Sequence, residues 1–185
     1  MAVPIVDLRP DAEDLIDQAA VLLQNAFRNR TEDWQDTESA RQEVLESFAP
    51  DRISRVFVDE SRTVLGWIGA IPTYASRVWE IHPLVVSASH RRQGIGRALV
   101  EDLGQLVASR GALTLWVGSD DENNETTLSA TDLYPDIPGA LRGLRNLGQH
   151  PYEFYLRLGF QIAGVLPDAN GRGKPDIFLA KRVGA

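Results

Sequence analysis

The feature that most limits how this chain can fold is a six-residue turn, Arg91-Arg92-Gln93-Gly94-Ile95-Gly96. It stands between an extended apolar run, Leu84-Val85-Val86, and a helix-patterned segment with Ile95, Leu99, Leu103 and Leu106 on one side. Strand, glycine turn and helix start together present a row of backbone N–H groups to an anion. The first N–H groups of a helix have no intrahelical partner, and the helix dipole adds partial positive charge there. Two glycines let a phosphate approach the main chain without meeting a Cβ. A Walker-type loop would need Lys and then Ser or Thr after the second glycine, where Arg97 and Ala98 stand. A Rossmann turn would need Gly-x-Gly-x-x-Gly on an early strand, and neither is present. The spacing therefore predicts a phosphate cradle of another kind, or else a turn that only joins a strand to a helix.

A chain of 185 residues, 43% apolar and 24% charged, can bury one core of ordinary size. One domain over 1–185 is expected, since no linker, internal repeat or low-complexity tail interrupts it. The absence of cysteine removes disulfides, thiolate metal sites and cysteine nucleophiles together, and no residue cluster implies a metal. Nineteen Lys and Arg against 26 Asp and Glu give a net charge of −7. That balance disfavours nucleic acid, which wants a basic stripe, and favours a cationic small molecule where acids gather at a cleft. No apolar run approaches the roughly 20 residues that span a bilayer, and residues 1–7 lack the basic start and apolar stretch of a signal peptide. The chain is expected to be soluble, cytoplasmic and without a membrane partner.

Hydrophobic spacing orders the elements. A first strand is expected over Val3–Leu8, a helix from Asp11 to Ala26, and a polar loop with Glu32, Asp33, Trp34 and Asp36. Thr37 is the expected N-cap of a second helix that Pro50 stops. Ile53–Asp59 and Val64–Ile71 read as a hairpin about Glu60-Ser61-Arg62. Trp79–Val86 is the fourth strand, the helix from Gly94 ends near Ser109 before Gly111, and Leu113–Val117 is the fifth strand. From Ser119 to Gln149 periodicity fails, which marks a stretch as functional or disordered. A short helix after Pro151 carries Phe154, Tyr155 and Leu158. Phe160–Val165 and Ile177–Lys181 close the chain as a strand pair.

The Arg-x-x-Gly-x-Gly turn after Leu84-Val85-Val86, with Tyr155-Leu156-Arg157-Leu158-Gly159-Phe160 downstream, resembles the GCN5-related N-acetyltransferase (GNAT) family across most of the chain. The resemblance implies an α/β (α+β) fold whose mixed central sheet, flanked by helices, splays between the fourth and fifth strands. It implies acetyl-CoA as co-substrate. Main-chain groups of Leu84, Val85 and Val86 would pair with the pantetheine arm. Amides of Arg91, Arg92, Gln93, Gly94, Ile95, Gly96, Arg97 and Ala98 would hold the pyrophosphate. Pro83 suits a place where ladder pairing is interrupted. The family commonly pairs into homodimers.

Acetyl transfer to an amine needs a base for the ammonium proton and a donor towards the departing thiolate. In an unbroken strand Glu80 and His82 face one side, with Leu84 and Val86 sharing that parity. By resemblance, Glu80 falls where many members carry a glutamate and His82 where some aminoglycoside-modifying members carry an acid. Either could be the base, directly or through water, and His82 could equally be a structural hydrogen-bonding histidine. Tyr155 matches the family's tyrosine, the expected general acid. His90 reads as a turn residue. His150, before Pro151, could cap or face a cleft.

For the acceptor, Trp34 among acids suits a polycationic, partly apolar substrate. The segments Trp116–Asn123, His150–Tyr155 and Gly164–Gly171, with Lys174-Pro175-Asp176, resemble the members described as aminoglycoside 6'-N-acetyltransferases. That implies Asp120, Asp121, Asp168 and Asp176 as partners for the acceptor's ammonium groups. A polyamine, small amine or protein N-terminus as acceptor, or an inert acetyl-CoA-binding module, are the alternatives.

Overall fold

The computed structural model describes residues 5–28 and 34–184. Val3 of the expected first strand, and Glu32 and Asp33 of the loop before Trp34, lie outside them. The chain divides into two compact units, one running to Leu113 and taking in the last residues from Val183, the other Thr114–Arg182.

In the first unit four strands form an antiparallel meander: β1 (Ile5–Asp7), β2 (Ile53–Val58), β3 (Val64–Thr73) and β4 (Val78–Val86). The helices are α1 (Glu13–Phe27), α2 (Thr37–Glu46) and α3 (Ile95–Ser109). β3 is buried along most of its length because both of its faces are covered. Trp67, Val56, Val64 and Val85 pack with Leu15, Ile16, Leu23 and Val44 of α1 and α2. On the opposite face Gly66 meets α3 so closely that a Cβ there would stand 2.9 Å from both Ile95 and Leu99. Trp67 is fully buried, and its Nε1 donates to Ser54 Oγ at 2.9 Å, so the indole leaves no polar atom stranded. Arg55 reaches α3 with a two-pronged contact to Asp102 (2.9 and 3.1 Å) and β1 through Asp7 (2.6 Å).

Two helix starts differ from expectation by a residue or two. α1 begins at Glu13 rather than Asp11. α2 is capped by Asp36 rather than Thr37, because the Asp36 carboxylate accepts from Ser39 N at 2.7 Å and Thr37 is already helical. The β2–β3 hairpin forms where expected, with Asp59 Oδ1 accepting from Ser61 N and Thr63 N.

β4 departs from simple alternation. Ile81 pairs Ala70 and Leu84 pairs Ile68, so His82 and Pro83 together oppose Gly69. One extra residue in β4 is a bulge, and it reverses which face the later side chains occupy. Glu80 shares a face with Ile71 and Trp67, towards α1 and α2. Leu84 and Val86 pair with Ile68 and Gly66 and face α3. The shared parity of Glu80, Leu84 and Val86 expected for an unbroken strand is thus corrected.

The second unit is an antiparallel sheet of β5 (Thr114–Asp120), β7 (Asp176–Arg182) and β6 (Gln161–Leu166), with β7 in the middle. Two short helices precede β6: α4 (Ile137–Arg142) and α5 (Tyr152–Arg157). The segment after β5 is ordered by specific bonds. Asp136 caps α4 through Gly139 N at 2.8 Å, Thr126 bridges Asn146, and Leu128 and Leu133 are buried.

A Cβ on Gly69 would stand 2.3 Å from the carbonyl oxygen of His82, which belongs to rigid backbone. Gly69→Ala should therefore lower unfolding free energy by about 1–3 kcal/mol. Gly104, inside α3, has only Val183 at an ordinary 3.8 Å, so Gly104→Ala should raise it by up to ~1 kcal/mol. Urea denaturation midpoints of the two variants check both signs.

Candidate functional site

The glycine turn has the geometry its sequence requires. Gly94 precedes α3 at φ +88°, a conformation that side chains disfavour, and no atom lies within 4 Å of where its Cβ would stand. Arg92 also has positive φ, at 62°. Ile95 is buried and anchors the helix start, while Arg91, Arg92, Gln93 and Arg97 are exposed. Ile95, Gly96 and Arg97 occupy the first turn, where amides have no helical acceptor. Ala98 N already donates to Gly94 O at 2.9 Å. The amide row open to an anion therefore ends at Arg97, one residue short of the expected stretch. Open backbone, three exposed guanidiniums and a helix start suit a pyrophosphate. His90 is a turn residue, its Nδ1 beside Ser89 Oγ (3.0 Å) and Ser87 Oγ (3.3 Å).

Upstream on β4, Glu80 and His82 lie together on the α1/α2 face. Burial pushes the Glu80 carboxyl above its ordinary range, against the opposing pull of His82. The His82 ring lies 6.0 Å from Trp34, which stacks edge-on against Phe27 at 4.9 Å. His82 Nε2 stands 3.6 Å from Glu43 Oε1, a carboxylate on α2 whose side chain is only 15% exposed. Sequence reasoning missed Glu43. Its signal was an acid three residues after Ala40 and next to Val44, at the margin of the buried stripe of α2. Two carboxylates, an imidazole and an indole therefore converge in the first unit, an arrangement that can accept protons and attract ammonium groups. The expected Asp36 is committed to capping α2, and the Ser39 amide holds its carboxyl below the usual range.

In the second unit Tyr155 lies on α5, whose end explains the Tyr-x-x-x-Gly-Phe pattern. Phe160 N donates to Tyr155 O at 3.1 Å and Gly159 N to Leu156 O at 3.0 Å, with Gly159 at φ +86°. This is a Schellman cap, and its usual apolar contact is made by the Tyr155 and Phe160 rings, 5.4 Å apart. Tyr155 is 6% exposed, and burial drives its phenol pKa well above the ordinary value. It keeps its proton, so it can act as a hydrogen-bond donor.

The four aspartates separate into different roles. Asp120 is exposed, accepts from Asn170 Nδ2 at 2.6 Å, and stands directly across from Asp176 in the β5–β7 ladder. Gly118 leaves room for that pair, since a Cβ there would meet Asp176 Oδ2 at 2.6 Å. Asp168 closes the β6–β7 turn through Gly173 N at 2.7 Å. Asp121 is 0% exposed, and its expected contact with substrate is overturned. Its oxygens accept from Glu125 N (2.7 Å), Thr126 N (2.9 Å) and Ser129 Oγ, stapling the loop after β5. Burial works to raise its pKa, but those bonds and the nearby His150 outweigh it, leaving the carboxyl below its usual range. No group of three or more metal-ligating side chains gathers among the described residues, and none of their helices is long and apolar enough to cross a membrane.

Comparison with known proteins bears on this geometry. The model of the Acetyltransferase (GNAT) family matches residues 19–128. N-acetyltransferase 8 of Homo sapiens is 29% identical over 121 residues, 63% of this chain and 49% of that protein. The chain thus spans about half the length of that curated relative. A crystal structure of an aminoglycoside 6'-N-acetyltransferase complexed with coenzyme A is similar at 43% identity and TM-score 0.89, over 97% of this chain and 96% of that one. The aminoglycoside 6'-N-acetyltransferase from Enterococcus faecium is similar at 44% identity and TM-score 0.87, over the same shares. The fold of these relatives is the fold of this chain.

Asp121→Asn should lower unfolding free energy by about 1–3 kcal/mol, because an amide cannot accept at every position the carboxylate fills. A carboxyl held below its unfolded pKa stabilises fully above that pKa and loses the effect as pH falls through the folded value. The deficit of Asp121→Asn should therefore be full at neutral pH and shrink in acid, as measured by denaturation at stepped pH.

Proposed function

The chain belongs to the Acetyltransferase (GNAT) family, and on that premise we propose that it transfers an acetyl group from acetyl-CoA to a primary amine, the 6'-amine of an aminoglycoside. Under this reading residues 1–185 act as one N-acetyltransferase domain. The acceptor rests on one observation: aminoglycoside 6'-N-acetyltransferases share 43% and 44% identity along 97% of the chain. Acetylating that amine removes a cation from the drug, which would amount to antibiotic resistance.

Acetyl-CoA supplies the acetyl group as a thioester. Amides from Arg91 to Arg97 hold its pyrophosphate, and the main chain of Leu84, Val85 and Val86 pairs with its pantetheine arm. Glu80 takes the proton that the acceptor's ammonium must lose, directly or through water. A carboxyl raised by burial is better matched to that task than a free one. His82, steadied by Glu43 and Trp34, completes that side. The freed nitrogen attacks the carbonyl carbon directly, the N–C bond forms, the C–S bond breaks, and the nitrogen gives up its second proton to solvent. Asp120 and Asp176 receive the acceptor's other ammonium groups, with Asp168 at their margin, and Trp34 offers it an apolar face.

Tyr155 donates to the departing sulfur. Full proton transfer from so raised a phenol to a thiolate of ordinary pKa, about 8.5, runs uphill. The phenol therefore stabilises the leaving charge through a hydrogen bond, and solvent returns the final proton to sulfur. Tyr155→Phe should keep the KM for acetyl-CoA and lose kcat by about 10²-fold or more. Unchanged turnover would remove Tyr155 from the reaction.

Thiol release measured against aminoglycosides, polyamines and peptides tests the acceptor. Kanamycin- or tobramycin-type acceptors should turn over far better than spermidine, and analogues with a 6'-hydroxyl should not react. Preference for a polyamine or peptide would overturn the acceptor; saturable acetyl-CoA binding without release from any amine would overturn the enzyme. In the wild type, kcat should rise with pH through a carboxyl titrating above the usual glutamate range, and Glu80→Gln should abolish that rise. An unaltered pH profile in the variant would exclude Glu80 as base.

A further inference from the structure

His150 is 2% exposed, and both of its ring nitrogens are engaged. Tyr152 N lies 3.2 Å from Nδ1, and Asp120 O lies 3.1 Å from Nε2. A main-chain N–H can only donate and a carbonyl can only accept, so together these contacts specify one tautomer. Nδ1 offers its lone pair to Tyr152, and the proton sits on Nε2, facing Asp120.

The bond to Tyr152 has a particular value. α5 is only six residues long, and its N-cap, Pro151, has no side-chain group to satisfy the first amides. The imidazole one residue earlier supplies the missing acceptor. Its own main chain is gripped at both ends by one amide: His150 N donates to Asn146 Oδ1 and Asn146 Nδ2 donates to His150 O, each at 3.1 Å. The ring also lies against that of Tyr152, 5.5 Å between centroids. One end of the imidazole therefore holds the start of the helix that carries Tyr155. The other end holds the last residue of β5, whose side chain is one of the paired acids.

We propose that His150, as the Nε2–H tautomer, is a positioning residue: it sets α5, and with it Tyr155, against the end of β5, and so governs turnover rather than donor affinity. This rests on the roles given above to Tyr155 and Asp120.

Long-range 1H–15N spectra of the full chain labelled at histidine should show a protonated Nε2 and a lone-pair Nδ1 for His150. A proton on Nδ1 overturns the proposal. In steady-state kinetics, His150→Phe keeps the ring's shape without its nitrogens. It should lose at least about tenfold in kcat while the KM for acetyl-CoA stays within about twofold. His150→Asn returns an acceptor near the Nδ1 position and should recover a large part of that kcat. Wild-type kcat in His150→Phe, or an equal loss in kcat and donor affinity in both variants, overturns it. A wild type that releases no thiol with any amine overturns the acetyl-transfer reading itself and removes the turnover claim with it. If His150→Phe does not fold, the tautomer spectrum and the His150→Asn kinetics still decide.

Discussion

One extra residue in β4 decides the sidedness of the first unit. With His82 and Pro83 both set against Gly69, the strand keeps Glu80 on the face of α1 and α2 and turns Leu84 and Val86 towards α3. Without the bulge, every side chain after it would exchange faces. Val85, which packs with Trp67, would leave the α1/α2 core, and the register that leads into the glycine turn would point the wrong way. The absence of a Cβ at residue 69 makes the arrangement possible. Glu80 can therefore share a strand with Leu84 and Val86, which lead towards the glycine turn, without sharing their face.

The second unit solves a different problem, that of holding a long, polar, mostly irregular stretch in place. It does so with polar side chains, Asp121 and His150 among them buried, that each make several bonds. Asp121 gathers three donors from the loop that follows it, Asn146 grips the main chain of His150, and His150 joins a strand end to a helix start. Such groups are expensive to bury and only tolerable when paired. Their pairing gives the loop one conformation where hydrophobic packing alone would allow several.

Much of this was legible from residue order. Gly94 and Gly111 mark both ends of α3, Glu60-Ser61-Arg62 marks the hairpin, and Tyr155 with Gly159 and Phe160 carries the family resemblance. What escaped did so for separate reasons. The bulge adds a residue to β4 without altering the apolar alternation around Trp79, Ile81, Pro83 and Val85, all of which are buried. Asp120 and Asp121 are adjacent and identical in type, yet one is exposed and the other sealed, because alternation at a strand end sends neighbours in opposite directions. Glu43 meets His82 only through the tertiary placement of α2 against α1, and no local pattern records that.

The cap at the end of α5 has a bearing on how such chains are compared. Its parts are the carbonyls of residues 155 and 156, the positive φ of Gly159 and the ring contact between Tyr155 and Phe160. None of these involves the phenolic oxygen. A chain with phenylalanine at 155 would close the helix equally well and display the same glycine–phenylalanine signature. The signature is thus a record of architecture, and a single oxygen atom separates a bare scaffold of this kind from one that also carries a buried phenol.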